Sequence, residues 1–537
     1  MVKNNNILSE NMDRLLGRDA QRNNIFAARM VAEIVKTTLG PKGMDKMLVT
    51  PTNEIIVTND GVTILEEMEI EHPAAKMMVE VARTQEKEVG DGTTTSVMIA
   101  GKLLENAEKL IDKKIHPTII SKGYRIAERK AQEILQEISL KISPEDLSTL
   151  KKIAMTAMTG KGAEDEKEKF SEIIVSAIKT IQNKGKINIE DIKIEKVLGD
   201  GIKDTELIQG IVLDKEKTSK DMPSLIGKAK ILLIDFPLEI QTPELQTRIS
   251  ISSHSELQKI LGEEENSIKK MVEKISESEA NVIFCQKGID DFANYLLAKR
   301  GIYTCRRVPK SDMEKISKAT GGKIISNLNE INSYELGEAE NVEEIKRGKE
   351  IMTYIKGCKN PKAVTILIHG GTKHILDEIE RAFLDGIGDI VSTIETGLVV
   401  PGGGAIEIEL GKRLREFSNT LQGRERLAVE EFANALEFIP TTLAENAGLD
   451  PIDILTELKA KHESGDKNAG LNLFTNKVEN VLNARIIEPY KIKSQALSSA
   501  TDVATMILRI DDVIAAKPAK KGMIDSGKVP DYFGGLS

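Results

Sequence analysis

Gly90-Asp91-Gly92-Thr93-Thr94-Thr95 stands directly before a stretch, Ser96 to Ile115, whose apolar residues Val97, Ala100, Leu103, Leu104, Ala107, Leu110 and Ile111 fall on one helical face. Two glycines let the backbone come close to a ligand. Three threonines put hydroxyls and N–H groups at a helix N-terminus, the end with partial positive charge and unpaired donors. The combination suits a phosphate chain, and Asp91 within it is an oxygen ligand of the kind Mg²⁺ takes while bridging to phosphate oxygens. The same letters also spell a glycine turn followed by a capped helix. Taken alone, the stretch leaves both readings open.

Upstream, Leu39-Gly-Pro-Lys-Gly43 follows an amphipathic helix over Ile25 to Leu39 and offers backbone N–H groups and a lysine. Glu54 to Thr58 reads as a short strand, and Asn59-Asp60-Gly61 as the turn after it. Downstream, Gly402-Gly-Gly404 permits close approach to a ligand or serves as a hinge. The chain contains no GxxxxGK[ST] and no protein-kinase set, so a nucleotide site here is of a different type.

The 537 residues exceed what one core usually serves, and the pattern changes along them. The first part is helical, with Tyr124 to Ile138 continuing the style of the helix before it. In the middle, Lys230 to Phe236, Asn281 to Cys285 and Ala363 to His369 read as buried strands, with a helix over Ile289 to Lys299, which together suggest an α/β unit. Ser255 to Ile275 is a charged helical stripe between the first two strands. After Gly402 the helical period returns, over Leu427–Leu436, Thr441–Asn446, Ile452–Lys461 and Ala496–Leu508. The fold class is therefore multidomain α plus α/β, with the middle inserted into a helical unit.

Composition narrows the function. Aromatics at 3% argue against base-stacking on single strands, and a net charge of −9 argues against a phosphate-backbone binder, so no nucleic acid is expected as partner. No signal-peptide core or bilayer-length apolar run is found, so no membrane partner is expected and the protein is expected in the cytoplasm. Cys285, Cys305 and Cys358 form no paired motif and read as reduced thiols. The six histidines, His369 and His374 included, read as surface or loop residues rather than metal ligands.

Seven segments then carry a resemblance. Thr38-Leu-Gly-Pro-Lys-Gly-Met-Asp-Lys-Met47, Val57-Thr-Asn-Asp-Gly-Val-Thr-Ile64, His72-Pro-Ala-Ala-Lys76, Val89 to Thr95, Thr159-Gly-Lys-Gly-Ala163, Gly402-Gly-Gly-Ala405 and Ala444 to Pro451 resemble, in order, the signatures of group II chaperonins, the archaeal thermosome above all. The resemblance runs from about residue 10 to about residue 515. It implies a chaperonin fold: a helical equatorial domain (1–145 and 402–516), a small intermediate domain (146–216 and 367–401) and an α/β apical domain (217–366) with a helical lid protrusion near 241–275, followed by a mobile tail (517–537).

It also implies a role for each site residue. Leu39, Gly40 and Pro41 match the loop at the phosphates, and Asp91 the Mg²⁺ ligand. Gly92, Thr93, Thr94 and Thr95 match phosphate contacts. Asp60 matches a carboxylate beside the γ-phosphate, Asp385 the group that positions the attacking water, and Lys161 a γ-phosphate sensor. Gly403 and Glu488 match ribose contacts and Asn472 a base contact. ATP and Mg²⁺ are the implied cofactors. The implied partners are unfolded polypeptides, and copies of the chain or paralogous subunits in two stacked rings. The implied activity is ATP-dependent protein folding, with a non-hydrolysing holdase or structural ring subunit as the alternative. Intact Asp60, Asp91 and Asp385 argue against that alternative. Three features depart from the pattern: Pro401 before the triple glycine, a tail without Gly-Gly-Met repeats, and Gly386 and Gly388, which should weaken the helix after Asp385 by about 1 kcal/mol each relative to Ala.

Overall fold

The computed structural model describes residues 12–50, 53–162, 164–182, 186–199, 201–239, 254–347, 350–359 and 361–516. The tail, and residues 241–253 of the expected protrusion, lie outside them.

The largest core is helical and draws on both chain ends. Gly17–Lys36, Pro73–Val89, Thr93–Asp112 and Pro117–Ile138 pack with Ala405–Ser418, Glu425–Leu436, Phe438–Asn446 and Tyr490–Leu508. Thr93–Asp112 is the central element. Its buried residues include Val97, Met98, Ile99, Leu103, Leu104, Ala107 and Leu110, which lie around the whole helix rather than along one stripe. Small residues let its neighbours close in. A side chain at Gly101 would collide with Ala32 of Gly17–Lys36, and one at Gly123 would lie 2.9 Å from the Glu425 carbonyl. With few aromatics, the contact of Tyr124 edge-on to Phe432 (5.8 Å between centroids) carries unusual weight, and the Tyr124 hydroxyl donates to the Leu103 carbonyl at 2.7 Å. The two ends of the described chain meet in an antiparallel pair, Met12–Leu16 with Asp512–Ala516.

The middle of the chain builds a seven-stranded mixed sheet. Its strands run in the order Tyr303–Cys305, Val282–Cys285, Leu225–Ile234, Gly337–Arg347, Glu350–Lys356, Gly210–Leu213, and Ile324–Ile325 also pairs with Leu225–Ile234. Two of the expected strands are here. The third, observed as Val364–Gly370, is not. It pairs instead with Ile192–Leu198 and Glu206–Ile208 in a separate three-stranded sheet. A run buried on both faces identifies a central strand but not the sheet it joins. That small sheet packs with Leu147–Met158, Lys167–Ile181 and the long helix Lys373–Thr396 around Ile153, Phe170, Ile174, Ile368, Ile379 and Phe383. The charged stripe is the helix His254–Glu277, and Ile268, Val272 and Ile275 bury against Ile283 and Leu297 of the α/β core.

Two local expectations are corrected, the turn at Asp60 and the surface placing of His369 and His462. Asn59-Asp60-Gly61 is not a free turn: Asp60 is the N-cap of the helix Gly61–Glu67. Gly386 and Gly388 lie inside the continuous helix Lys373–Thr396. They are contact positions, where a side chain would meet Ile174 Cδ1 at 2.7 Å and the Val89 carbonyl at 2.8 Å respectively. His369 and His462 are buried rather than at the surface (each 1% exposed). The His462 ring lies between Glu409 Oε2 (2.9 Å) and the Ala469 carbonyl (2.8 Å). Cys285, Cys305 and Cys358 are free and buried, and burial raises all three thiols, to about 12, about 12 and about 11.

Because Gly101 admits Ala32 without space for a side chain, Gly101→Val forces overpacking in the central layer. The expected cost is about 1–3 kcal/mol, read as a lower urea midpoint at unchanged slope. A wild-type midpoint would show that the crossing yields to a larger residue.

Candidate functional site

Stretches from across the chain, from Thr38 to Lys493, meet around one cavity of about 500 Å³. Its floor is the start of Thr93–Asp112. Gly90 (φ 86°) ends the preceding helix Pro73–Val89 and Gly92 (φ 79°) begins the next, so the chain reverses around Asp91 through two left-handed residues. No side chain caps the helix at Gly92, which leaves the first-turn N–H groups of Thr93 to Thr95 to a ligand. The reversal is held from below: Gln85 Nε2 donates to the Asp91 carbonyl at 2.9 Å and the Ile492 carbonyl at 3.3 Å. A Cβ on Gly92 would lie 2.6 Å from Ile492 Cγ2.

Beside the floor lie two loops. Leu39, Gly40 (φ +78°) and Pro41 follow the first long helix, and Asn446 Nδ2 fixes their entry by donating to the carbonyls of Lys36 (3.1 Å) and Leu39 (3.0 Å). Asp60 Oδ2 accepts from the Thr63 N–H (2.9 Å) and hydroxyl (2.7 Å), which orients its carboxylate at the rim. The start of that helix abuts the floor, since a Cβ on Gly61 would meet Thr94 Oγ1 at 2.7 Å.

The facing wall comes from the smaller unit. Gly160 packs its backbone on Pro41, and Asn59 Nδ2 donates to the Gly160 carbonyl at 3.3 Å. Lys161 forms an ion pair with Asp385 of Lys373–Thr396. Burial raises the Asp385 carboxyl to about 7, with Asp91 and Asp60 pushing the same way and Lys161 opposing. For Lys161, burial alone would lower the ammonium pKa, but the Asp385, Asp91 and Asp60 carboxylates outweigh it and hold the proton on.

The remaining wall is partly apolar. Leu39, Ile439, Leu443, Leu471, Leu473, Phe474, Ile486 and Ile492 line it, with Gly403 (φ +60°) admitting the Leu471 backbone closely and Gly404 (φ +78°) admitting Pro440. Glu488 sits at its base, paired with Lys493 at 2.6 Å, and Lys493 also reaches Glu407 at 2.8 Å. The arrangement offers bare helix N–H groups, a cluster of carboxylates with the Lys161 ammonium among them, and an apolar slot. That is what a triphosphate, a divalent cation and a flat heterocycle would need.

All but one of the expected site residues line this cavity: Leu39, Gly40, Pro41, Asp60, Asp91, Gly92, Thr93, Thr94, Thr95, Lys161, Asp385, Gly403 and Glu488. Asn472 does not. It is buried, its Nδ2 donates to Glu479 Oε1 at 2.5 Å, and its Oδ1 accepts from the Phe474 N–H at 2.9 Å, while Leu471 and Leu473 on either side face the cavity. Sequence reading misses Glu86, Asp389 and Lys493. Asp389 follows Asp385 by one helical turn and Glu86 precedes Gly90 by one, signals shared with any solvated helix face. Burial, with Asp385, Asp60 and Asp91 adding, raises Glu86 to about 8.

The TCP-1/cpn60 chaperonin family model matches residues 31–518. The chain is 55% identical over 519 residues to a thermosome subunit of Methanopyrus kandleri, covering 96% of this chain and 95% of that one. Over the same length and shares it is 56% identical to the beta and 54% identical to the alpha thermosome subunit of Archaeoglobus fulgidus. No helix among the described residues is long and apolar enough to cross a membrane.

The raised Glu86 carboxyl gives a signed pH effect. Folded protein keeps this proton up to about pH 8, whereas the unfolded chain releases it near the ordinary value of 4.5. Between those values unfolding releases a proton, so wild-type stability falls as pH rises, by at most about 1.4 kcal/mol per unit for this group. In nucleotide-free protein, Glu86→Gln should remove that component, so its urea midpoint gains on wild type from about pH 5.5 to about pH 7.5. Parallel curves would refute the assignment.

Proposed function

The chain belongs to the TCP-1/cpn60 chaperonin family and is a subunit of an ATP-dependent folding chaperonin of the thermosome type; from that premise we propose that this cavity is its Mg-ATP hydrolysis site. The observation that carries the proposal is the convergence of an uncapped helix N-terminus, the Asp60, Asp91 and Asp385 carboxylates and Lys161 on one volume.

In this reading the N–H groups of Thr93 to Thr95 and the Gly40-Pro41 loop hold the phosphate chain, Asp91 holds Mg²⁺, and Gly403 and Glu488 face the ribose. The donor set fits the ion: a carboxylate at the mouth of a phosphate-binding helix end. Mg²⁺, when bound, neutralises charge that develops on the phosphate oxygens. Asp60 and Asp385 orient the attacking water, since transfer to water depends on alignment and charge neutralisation more than on covalent help. The Lys161–Asp385 pair gives this a trigger. An arriving γ-phosphate competes for the Lys161 ammonium, and Asp385, relieved of its partner, turns to the water and accepts its proton. The apolar slot takes the base through Leu473, Phe474 and Ile492 rather than through Asn472, whose side chain is committed to Glu479.

Asp60 and Asp91 stand on the two-ended helical core, while Lys161 and Asp385 stand on the smaller unit. Hydrolysis therefore depends on how these two bodies sit, which would couple turnover to enclosure of a client polypeptide. The proposed division assigns the helical core to an equatorial domain, the three-stranded unit to an intermediate domain and the seven-stranded sheet to an apical domain. Met44, Met47, Val49 and Ile55 are exposed on and beside the hairpin Lys46–Val49/Ile55–Thr58, an apolar surface suited to burial against a neighbouring copy or paralogue in a closed ring.

The test is refolding of a chemically denatured enzyme by the purified particle. Mg-ATP should restore activity. The Asp60→Ala, Asp385→Ala double variant should abolish recovery and slow ATP turnover by about 100-fold or more. Aggregation suppressed equally with and without ATP would make the particle a holdase and overturn the proposal.

A further inference from the structure

The helix Lys373–Thr396 carries a second aspartate that the proposed reaction leaves unused. Asp389 lies one turn beyond Asp385, so both project from one face, and both line the cavity. Asp389 is only 3% exposed, and its Oδ1 has no hydrogen-bond partner among the described residues. A buried carboxylate oxygen without a partner is unfavourable and points to a group that arrives with the ligand. Lys161 is committed to Asp385, and the buried Lys493 to Glu407 and Glu488.

Backbone contact brings Asp389 to this place. Its neighbour Gly388 sits against the loop that carries Asp91, where a Cβ would lie 2.8 Å from the Val89 carbonyl and 3.4 Å from Gly90 Cα. Burial raises the Asp389 carboxyl well above the usual range, and among its charged neighbours Asp91 adds most, ahead of Asp385. Yet no three His, Cys, Asp or Glu side chains among the described residues are close enough to hold an ion together. That excludes Asp389 as part of a preformed direct-ligand cage, but not as an acceptor one water further out. Mg²⁺ keeps several of its waters, and these are strong donors.

We infer that Asp389 is a positioning residue for the divalent ion held by Asp91, accepting hydrogen bonds from the ion's water ligands without binding the ion itself. The inference rests on the Mg-nucleotide reading of the cavity. It gives Gly388 a purpose: only glycine lets the helix approach near enough for the next residue to reach the ion's hydration shell.

The experiment is calorimetric titration of Mg²⁺ into ADP-loaded wild type, Asp389→Val and Asp389→Asn, with ADP affinity measured separately in EDTA. Asp389→Val should weaken Mg²⁺ binding by about 10-fold or more, as losses of an outer-shell partner do, and Asp389→Asn, which keeps an acceptor oxygen, by less. ADP affinity in EDTA should not change. If Asp389→Val fails to assemble, the Asn variant decides alone. Mg²⁺ affinities within about twofold of wild type in both variants would make Asp389 a buried structural acid and overturn the inference while leaving the ATP site standing. Wild type that binds ADP neither with nor without Mg²⁺ would overturn the ATP-site reading itself, and the inference with it.

Discussion

Everything at the site depends on one helix being buried along its length but open at its start. Thr93–Asp112 is packed against Gly17–Lys36, Pro73–Val89, Glu425–Leu436 and Tyr490–Leu508, so its position is fixed from several sides. Its first turn has no side-chain cap, and the chain reaches it through Gly90 and Gly92 in left-handed conformations. Unpaired N–H groups at a helix end usually find a cap or water. Here they face a cavity walled by loops from elsewhere in the chain. In the proposed site the central helix therefore does two jobs: apolar burial holds it in place, and the fixed dipole end would hold phosphate without moving.

The legible part of this design is the part written in short range. Two glycines and three threonines before an amphipathic stretch state a helix N-terminus that tolerates close approach, and that is what Gly90 to Thr95 forms. The illegible part depends on which surfaces meet. Asn59-Asp60-Gly61 has the chemistry of a turn and also of an N-cap, because both need a short side-chain acceptor beside a free N–H. The packing of Gly61–Glu67 against the site floor decides between them. Ala363 to His369 is legible as a buried strand, but not as the partner of Ile192–Leu198, far earlier in the chain. Only resemblance assigns Asn472 to the base, and the cross-strand pull of Glu479 turns its side chain out of the cavity. The burial of His462 depends on Glu409 and Ala469, neither of which its local sequence announces.

Gly386 and Gly388 show what a propensity argument alone leaves out. Glycine does cost helix stability relative to alanine. The helix Lys373–Thr396 persists because tertiary packing on Ile174 and on the Val89–Gly90 backbone is available only to a residue without a side chain. That packing joins the smaller unit to the phosphate loop. The local weakness is what allows the contact, a trade seen where function rather than stability sets the residue.

The same logic explains why so many acids gather here. Asp60, Glu86, Asp91, Asp385 and Asp389 share the cavity with the Lys161 ammonium, and burial raises Glu86, Asp385 and Asp389. A core selected for stability alone would not keep such a set, since a buried carboxyl such as Glu86, Asp385 or Asp389 must hold a proton or bear an unfavourable charge. The cluster makes sense if further positive charge arrives with the ligand. Lys161 pairs with Asp385 in this structure. In the proposed site a phosphate would compete for Lys161 and leave the carboxylates to the ion and the water, so the helix Lys373–Thr396 would gain most when ion and nucleotide are both present. On the proposed function, coupling between ATP and conformation would then follow from charged groups shared between two packed bodies, without a separate relay between distant sites.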